Sequence, residues 1–308
     1  MSKYPFVDIE DLTLVQHVQP VPVMNAAGAC IANDIRGSDK YLYALLGTAS
    51  FWRYDVIEDG WQQLANPPAL TFAAGCDLCM DPSLNRVWLF APGATTPYAI
   101  FAYYDIPTNI WTTRTAPSGL PAQWGTDAAL MHVCSSYNPC GDDDKIYLIG
   151  NNSTVMYQYS NSNDSWIALG TAVPAAVGAG CALIWTYHND ADKFLLQLGG
   201  ATAGFYTYSL GTPGFTVLTP VPNSETYSTG SNASYIPDLD IVAITKDATH
   251  RVYGLNLLSN KLTPIGAWLY LAGTARAGDG QIYIKNQDNY WLYYRLLSGQ
   301  DFWRMWIS

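Results

Sequence analysis

An aromatic pair seven residues apart, with a tight turn between its members, recurs along this chain and limits what it can fold into. The stretch Ala102-Tyr103-Tyr104-Asp105-Ile106-Pro107-Thr108-Asn109-Ile110-Trp111 reads as strand, turn, strand. Its Tyr104/Trp111 pair has counterparts at Tyr54/Trp61, Tyr159/Trp166, Tyr208/Phe215, Leu255/Leu262 and Leu296/Trp303. Turn formers such as Glu58-Asp59-Gly60, Pro107-Thr108-Asn109 and Ser298-Gly299-Gln300-Asp301 fill the gaps. A short hydrophobic strand precedes each pair: Tyr41–Leu45, Val87–Phe90, Ile146–Ile149, Phe194–Leu198, Ile241–Ile244 and Gln281–Ile284. Segments of small residues come before these, among them Ala26-Ala27-Gly28-Ala29-Cys30, Ala73-Ala74-Gly75-Cys76 and Gly178-Ala179-Gly180-Cys181. Each unit therefore reads as four strands: small, hydrophobic, aromatic and Trp-led.

Four strands repeating every 40–50 residues or so is the period of a propeller blade. The expected fold is all-β: a six-bladed β-propeller with four antiparallel strands per blade and an N-terminal extension. Small residues suit crowded inner strands near the axis. Large aromatics suit the space between blades, where each removes roughly 150–250 Å² from water. On the Tyr/Trp pairs, and on Gly199-Gly200 with the near match Gly150-Asn151-Asn152, the sequence resembles the kelch family of propellers. That family carries a double glycine after the second strand, then a Tyr and a Trp at this separation. The resemblance spans about residues 25–308. It implies fold rather than role, because kelch propellers serve many functions.

Composition agrees. Among 25 acidic residues only Glu10, Glu58 and Glu225 are glutamate, and aspartate favours turns where glutamate favours helices. With 15 Lys+Arg and a net charge of -10 there is no basic stripe, so neither nucleic acid nor anionic membrane is an expected partner. The first residues show no apolar leader and no run approaches a membrane span. The six cysteines are too few for a disulfide scaffold. They leave open buried thiols, one Cys134–Cys140 disulfide, or a metal site. Cys76 and Cys79, three apart on a strand, point to opposite faces.

Residues 1–24 precede the repeat and read as an arm; residues 25–308 read as the propeller. The last unit looks complete, ending at Trp303-Arg304-Met305-Trp306-Ile307, so the arm is free either to clasp the last blade or to reach a neighbouring subunit. Turns joining strands one–two and three–four should share one acidic face, including Glu58, Asp59, Asp81, Asp164, Asp279 and Asp301. The opposite face is nearly neutral, and its Tyr98, Trp124, Tyr227, His250, Trp268 and Tyr270 are the candidate binding residues. Exposed aromatics beside Asn and Thr suit sugars or a protein partner. The alternative is that Trp124 and Trp268 only seal gaps between blades.

No catalytic residues, cofactor or metal ligands are expected. Asp142-Asp143-Asp144 lacks EF-hand spacing and reads as a solvated turn. His17, His132, His188 and His250 fall on different parts of the fold. No nucleophile elbow, zincin motif or P-loop occurs. The expected role is a non-enzymatic structural propeller whose partners are other protein subunits. Low charge density and abundant Thr, Asn and Tyr resemble a bacteriophage virion component of collar, tail or capsid, with the arm as anchor; otherwise the expected location is the cytoplasm. The alternatives are a carbohydrate-binding propeller and an enzyme with a site at the axial mouth.

Overall fold

Short segments rich in Val, Ile, Tyr and Trp become strands because β-branched and aromatic side chains pack well on a pleated surface. A computed structural model describes residues 15–23, 28–33, 40–46, 49–68, 75–92, 99–117, 128–133, 145–150, 152–188, 191–209, 212–220, 225–228, 231–246, 251–267, 280–285, 291–296 and 300–307. After β1 (Val15–His17), blade one holds β2 (Cys30–Asn33), β3 (Tyr41–Leu46), β4 (Ser50–Asp55) and β5 (Gly60–Gln63). Blade two holds β6 (Asp77–Asp81), β7 (Arg86–Pro92), β8 (Ala99–Asp105) and β9 (Ile110–Arg114). Blade three holds β10 (Ala128–Val133), β11 (Lys145–Gly150), β12 (Tyr157–Ser160) and β13 (Ser165–Ala168). Blade four holds β14 (Ala182–His188), β15 (Ala191–Gln197), β16 (Phe205–Ser209) and β17 (Gly214–Leu218). Blade five holds β18 (Asn232–Ile236), β19 (Ile241–Thr245), β20 (Arg251–Asn256) and β21 (Lys261–Ala267).

A further four-stranded sheet is composite. It runs β22 (Gly280–Lys285), β23 (Trp291–Leu296), β24 (Phe302–Ile307) and then β1 from the other end of the chain. The first strands β2, β6, β10, β14, β18 and β22 neighbour one another in succession, and β22 returns to β2. The second strands are the most enclosed: β3, β7 and β11 are buried at every residue after the first. A strand covered on both faces reads as a continuous apolar run, which is why this strand stood out in the sequence.

The composite sheet overturns the expectation that the last unit is complete. Gln281–Ile284 is the innermost strand of its sheet and not the second, so the unit supplies three strands and β1 the fourth. Val15, Gln16 and His17 pair antiparallel with Met305, Arg304 and Trp303. Beyond the strand, Val18 N–H donates to Phe302 O at 3.1 Å and Val21 N–H to Gln300 O at 3.0 Å. Both valines are buried. Residues 15–21 thus close the ring, which is the clasp on the last blade that was one of the two expected roles of the arm. The one-strand offset also moves Asp301, which joins the second and third strands of this sheet, off the expected acidic face; Asp279 lies outside the described residues.

The small-residue segments are corrected too. Their described residues, from Gly28, Gly75 and Gly178 onward, lead into β2, β6 and β14. Gly28 and Gly75 have φ of 94° and Gly180 of 78°, a region open to glycine. A Cβ on Gly180 would lie 1.9 Å from the Ser228 carbonyl oxygen.

The aromatic pairs have a defined task. Tyr54/Trp61, Tyr104/Trp111, Tyr159/Trp166, Tyr208/Phe215 and Leu255/Leu262 are direct cross-strand partners. Leu296 faces Phe302 instead, so the sixth pair is not equivalent. In three blades the turn residue five places after the tyrosine is left-handed: Asp59 (φ 49°), Asn109 (φ 58°) and Asp164 (φ 47°). Its Oδ1 accepts the tyrosine hydroxyl at 2.6, 2.8 and 2.7 Å. The same oxygen accepts a backbone N–H from the preceding sheet: Gln19 at 2.9 Å, Ala65 at 2.9 Å and Thr115 at 3.0 Å. The tryptophan Nε1 then donates to the carbonyl of that same residue, at 3.0, 2.7 and 2.8 Å. One residue per seam is therefore held by both its N–H and its C=O. A phenylalanine of the preceding sheet fills the space between the pair: Phe302 against Tyr54 and Trp61, Phe51 against Tyr104 and Trp111, Phe101 against Tyr159 and Trp166.

Candidate functional site

Of the six candidate binding residues, Tyr98, Trp124, His250, Trp268 and Tyr270 lie outside the described residues, and only Tyr227 can be placed. It is not an exposed contact: Tyr227 is 1% exposed and packs edge-on against Phe205 with ring centroids 5.3 Å apart. Its segment crosses from blade four to blade five, and an apolar ring is driven into that seam. The backbone is fixed on both sides, with Ala201 N–H donating to Tyr227 O at 2.7 Å and Tyr227 N–H to Thr202 O at 3.0 Å. Burial, then the charge of Glu225 and the neighbouring Tyr253, pushes the Tyr227 hydroxyl well above its ordinary range.

The double glycine shapes this end of blade four. Gly199 and Gly200, following β15, are both left-handed, with φ of 67° and 64°. A Cβ on Gly199 would meet Ala179 O at 2.4 Å and Cys181 N at 2.6 Å. Two backbone segments touch here, and only glycine permits the approach.

Glu225 anchors the same crossing segment. Its Oε2 takes the Lys246 ammonium, and its Oε1 accepts the Tyr253 hydroxyl at 2.9 Å. The Lys246 contact, outweighing burial and helped by Tyr253, holds the Glu225 carboxyl below its usual range. Burial, then the hydrogen bond to Glu225, raises the Tyr253 hydroxyl against an opposing effect of Arg251. With one partner on each carboxylate oxygen, the group positions residues 225–228. Nothing in the sequence marked Glu225, Lys246 or Tyr253 as partners.

Beside this crossing lies a cleft of about 280 Å³, lined by Ala203–Tyr206 and Val217–Thr219. Val217 at its lip is 63% exposed. Phe205 forms its floor on one side and touches Tyr227 on the other.

Two inner-strand amides turn into the seams. Asn33 Nδ2 donates to Tyr283 O at 2.5 Å, and Gln281 Nε2 to Ala243 O at 3.4 Å. Asp81 Oδ1 caps its own turn, accepting from Ser83 N–H at 3.1 Å, Ser83 Oγ at 2.6 Å and Leu84 N–H at 3.2 Å. His132 is on the inner strand β10, His17 on β1 and His188 at the end of β14; their side chains, like Asp142-Asp143-Asp144, Cys134 and Cys140, lie outside the described residues. Among the described residues no three His, Cys, Asp or Glu gather as metal ligands, and no helix is long and apolar enough to cross a membrane.

No protein-family model matches the chain, and no curated protein matches it. Solved structures do resemble it. A structure described as YjhT superposes with a TM-score of 0.62 at 13% identity, covering 94% of this chain and 95% of that one. YCF48 bound to D1 peptide gives a TM-score of 0.55 at 11% identity, with 97% and 96% covered. An auxiliary nutrient binding protein from Bacteroides thetaiotaomicron gives 0.61 at 10% identity, with 93% and 70% covered. At such identities the likeness carries the fold alone: the chain is a β-propeller built of antiparallel four-stranded blades.

Proposed function

We propose that this chain is a kelch-like, non-enzymatic propeller that mediates protein–protein assembly, with a bacteriophage particle as its setting. The observation behind this reading is the division of labour in the ring. At the rim, three seams are clamped by tryptophan and turn side chains that bond the backbone of the preceding sheet. The end of blade four nearest the crossing to blade five instead presents an apolar cleft on a pinned backbone. A rigid platform with an open apolar recess is suited to receive a partner's side chain. A propeller neighbour bound to a peptide supports the same use. The partner surface is the loop face, because residues 15–21 of the arm are committed to the ring.

Mass spectrometry of purified particles tests the setting, with this chain expected among the virion proteins. Its absence from particles, together with a monomer that has no partner, would sink the reading. Deleting residues 1–24 cannot serve, since that removes β1. The better variant is Val217→Glu, which puts a charge at the cleft lip and is expected to weaken partner binding at least tenfold while thermal stability holds.

A second reading, carbohydrate binding, is favoured by the size and apolar lining of the same cleft. A solved neighbour described as nutrient-binding is in keeping with it. A glycan array separates the two: a hit lost on Tyr206→Ala, in the cleft lining, supports the carbohydrate reading, and a blank array removes it.

A further inference from the structure

We propose that Cys30 and Cys76 form a redox-active pair across the seam between blades one and two. Cys30 opens β2, and with Ala32 it packs into the cluster shared by the two blades. Cys76 immediately precedes β6 and enters the same cluster from the other side, next to Leu78. Cys79, on the opposite face of β6, belongs to the cluster facing blade three. Inner strands β2 and β6 are direct neighbours around the axis. Two thiols from adjacent blades thus enter one apolar layer, both buried, although far apart in sequence.

Their electrostatic proximity agrees with this placement: burial first, then Cys76 and Asp77, raises the Cys30 thiol well above its ordinary range. Thiolate is scarce at Cys30, so exchange in the folded state is slow and the dithiol persists under reducing conditions. The oxidant is a low-molecular-weight disulfide such as glutathione disulfide. One protein thiolate attacks it, forming a mixed disulfide and releasing one glutathione thiol. The second protein thiolate then displaces the other glutathione. Two thiol protons and two electrons leave the protein, and one Cys30–Cys76 bond forms. The product fastens blade one to blade two beside the axis, inside the seam that the Asn109 clamp holds at the rim.

The test uses the full chain. It is refolded in a glutathione redox buffer, so that burial does not limit access, then alkylated and mapped by peptide mass spectrometry. The expected result is a Cys30–Cys76 linked peptide as the dominant disulfide, absent in Cys76→Ala, with a melting temperature about 5 °C above the reduced protein. Alkylation of both residues in the refolded protein, or linkage of either mainly to another cysteine, would overturn the proposal. Incubating already folded protein in the same buffer should form the same bond more slowly; formation of a different bond would also overturn it.

Discussion

Two halves of the ring are held differently. The seams from the composite sheet to blade one, from blade one to two and from blade two to three each use a tyrosine, a turn acceptor and a tryptophan to grip one backbone residue. In the other half the corresponding partners are Tyr208/Phe215 and Leu255/Leu262. In the composite sheet, counting from Phe302 as from Phe51, they are Met305 and Val15. The Phe215 and leucine side chains have no N–H to donate, so these seams lack this clamp at the rim. The recurring aromatic pair is therefore more than filler where it is complete. It satisfies the backbone of the preceding sheet at the rim.

Substitutions can break this comparison. The largest effect is expected from Trp111→Ala, which removes both the packing on Phe51 and the bond to Ala65 O, for a loss of about 3–5 kcal/mol in denaturant unfolding. Trp111→Phe should cost only about 1–2 kcal/mol, the part owed to the hydrogen bond. If the two variants cost the same, the apolar contact contributes nothing measurable.

Arg114 lies across the seam between blades two and three. Its Nε donates to the Tyr159 hydroxyl and its guanidinium to Asn161 O, both at 2.9 Å. Arg114→Ala is expected to cost about 1–2 kcal/mol and to leave the seam between blades three and four unchanged by hydrogen exchange.

The response to pH has two limbs. Burial works against ionisation of Asp164, but hydrogen bonds from Tyr159 and Thr115 and the charge of Arg114 prevail, so its pKa is lowered. Its contribution is present above the ordinary carboxylate range and is lost as pH falls through that range and below it. Asp164→Asn should flatten the acid limb of a melting-temperature profile. Tyr104 and Tyr147 are both pushed up to about 12, chiefly by burial. Their stabilisation is complete below about pH 10, the unfolded value, and is lost between there and about 12. Each is expected to contribute about 1 kcal/mol after solvent screening. Tyr147→Phe should reduce the alkaline fall, and an unchanged alkaline limb would count against that assignment.

The smallest effect is an exchange. Asp59 and Asn109 perform the same task with the same oxygen and the same left-handed backbone. Asp59→Asn should therefore change unfolding free energy by no more than about 0.5 kcal/mol. A larger loss would mean that the negative charge at Asp59 matters beyond its role as acceptor.

Much of the architecture was legible in the residues. The hydrophobic runs Tyr41–Leu45, Val87–Phe90, Ile146–Ile149, Phe194–Leu198 and Ile241–Ile244 coincide with β3, β7, β11, β15 and β19, because a strand enclosed on both faces has no polar alternation to disguise it. The same rule misassigned Gln281–Ile284, since an inner strand rich in isoleucine looks like a second strand. The candidate site was less legible. Tyr227 was marked by its aromatic ring, but nothing local indicated whether that ring faced solvent or a neighbouring blade. Lys246 and Tyr253 gave no signal, because each meets Glu225 only through the packing of a loop against another strand.

By itself the sequence determined the four-stranded unit, its repetition and the positions of its turns, because these follow from side-chain alternation and turn chemistry within about fifty residues of chain. Only the tertiary structure decided that β1 completes the composite sheet, that one residue per clamped seam is held by both backbone groups, and that Cys30 and Cys76 enter one core cluster. Those contacts join segments distant in sequence, and they form only when the ring closes and brings neighbouring sheets face to face.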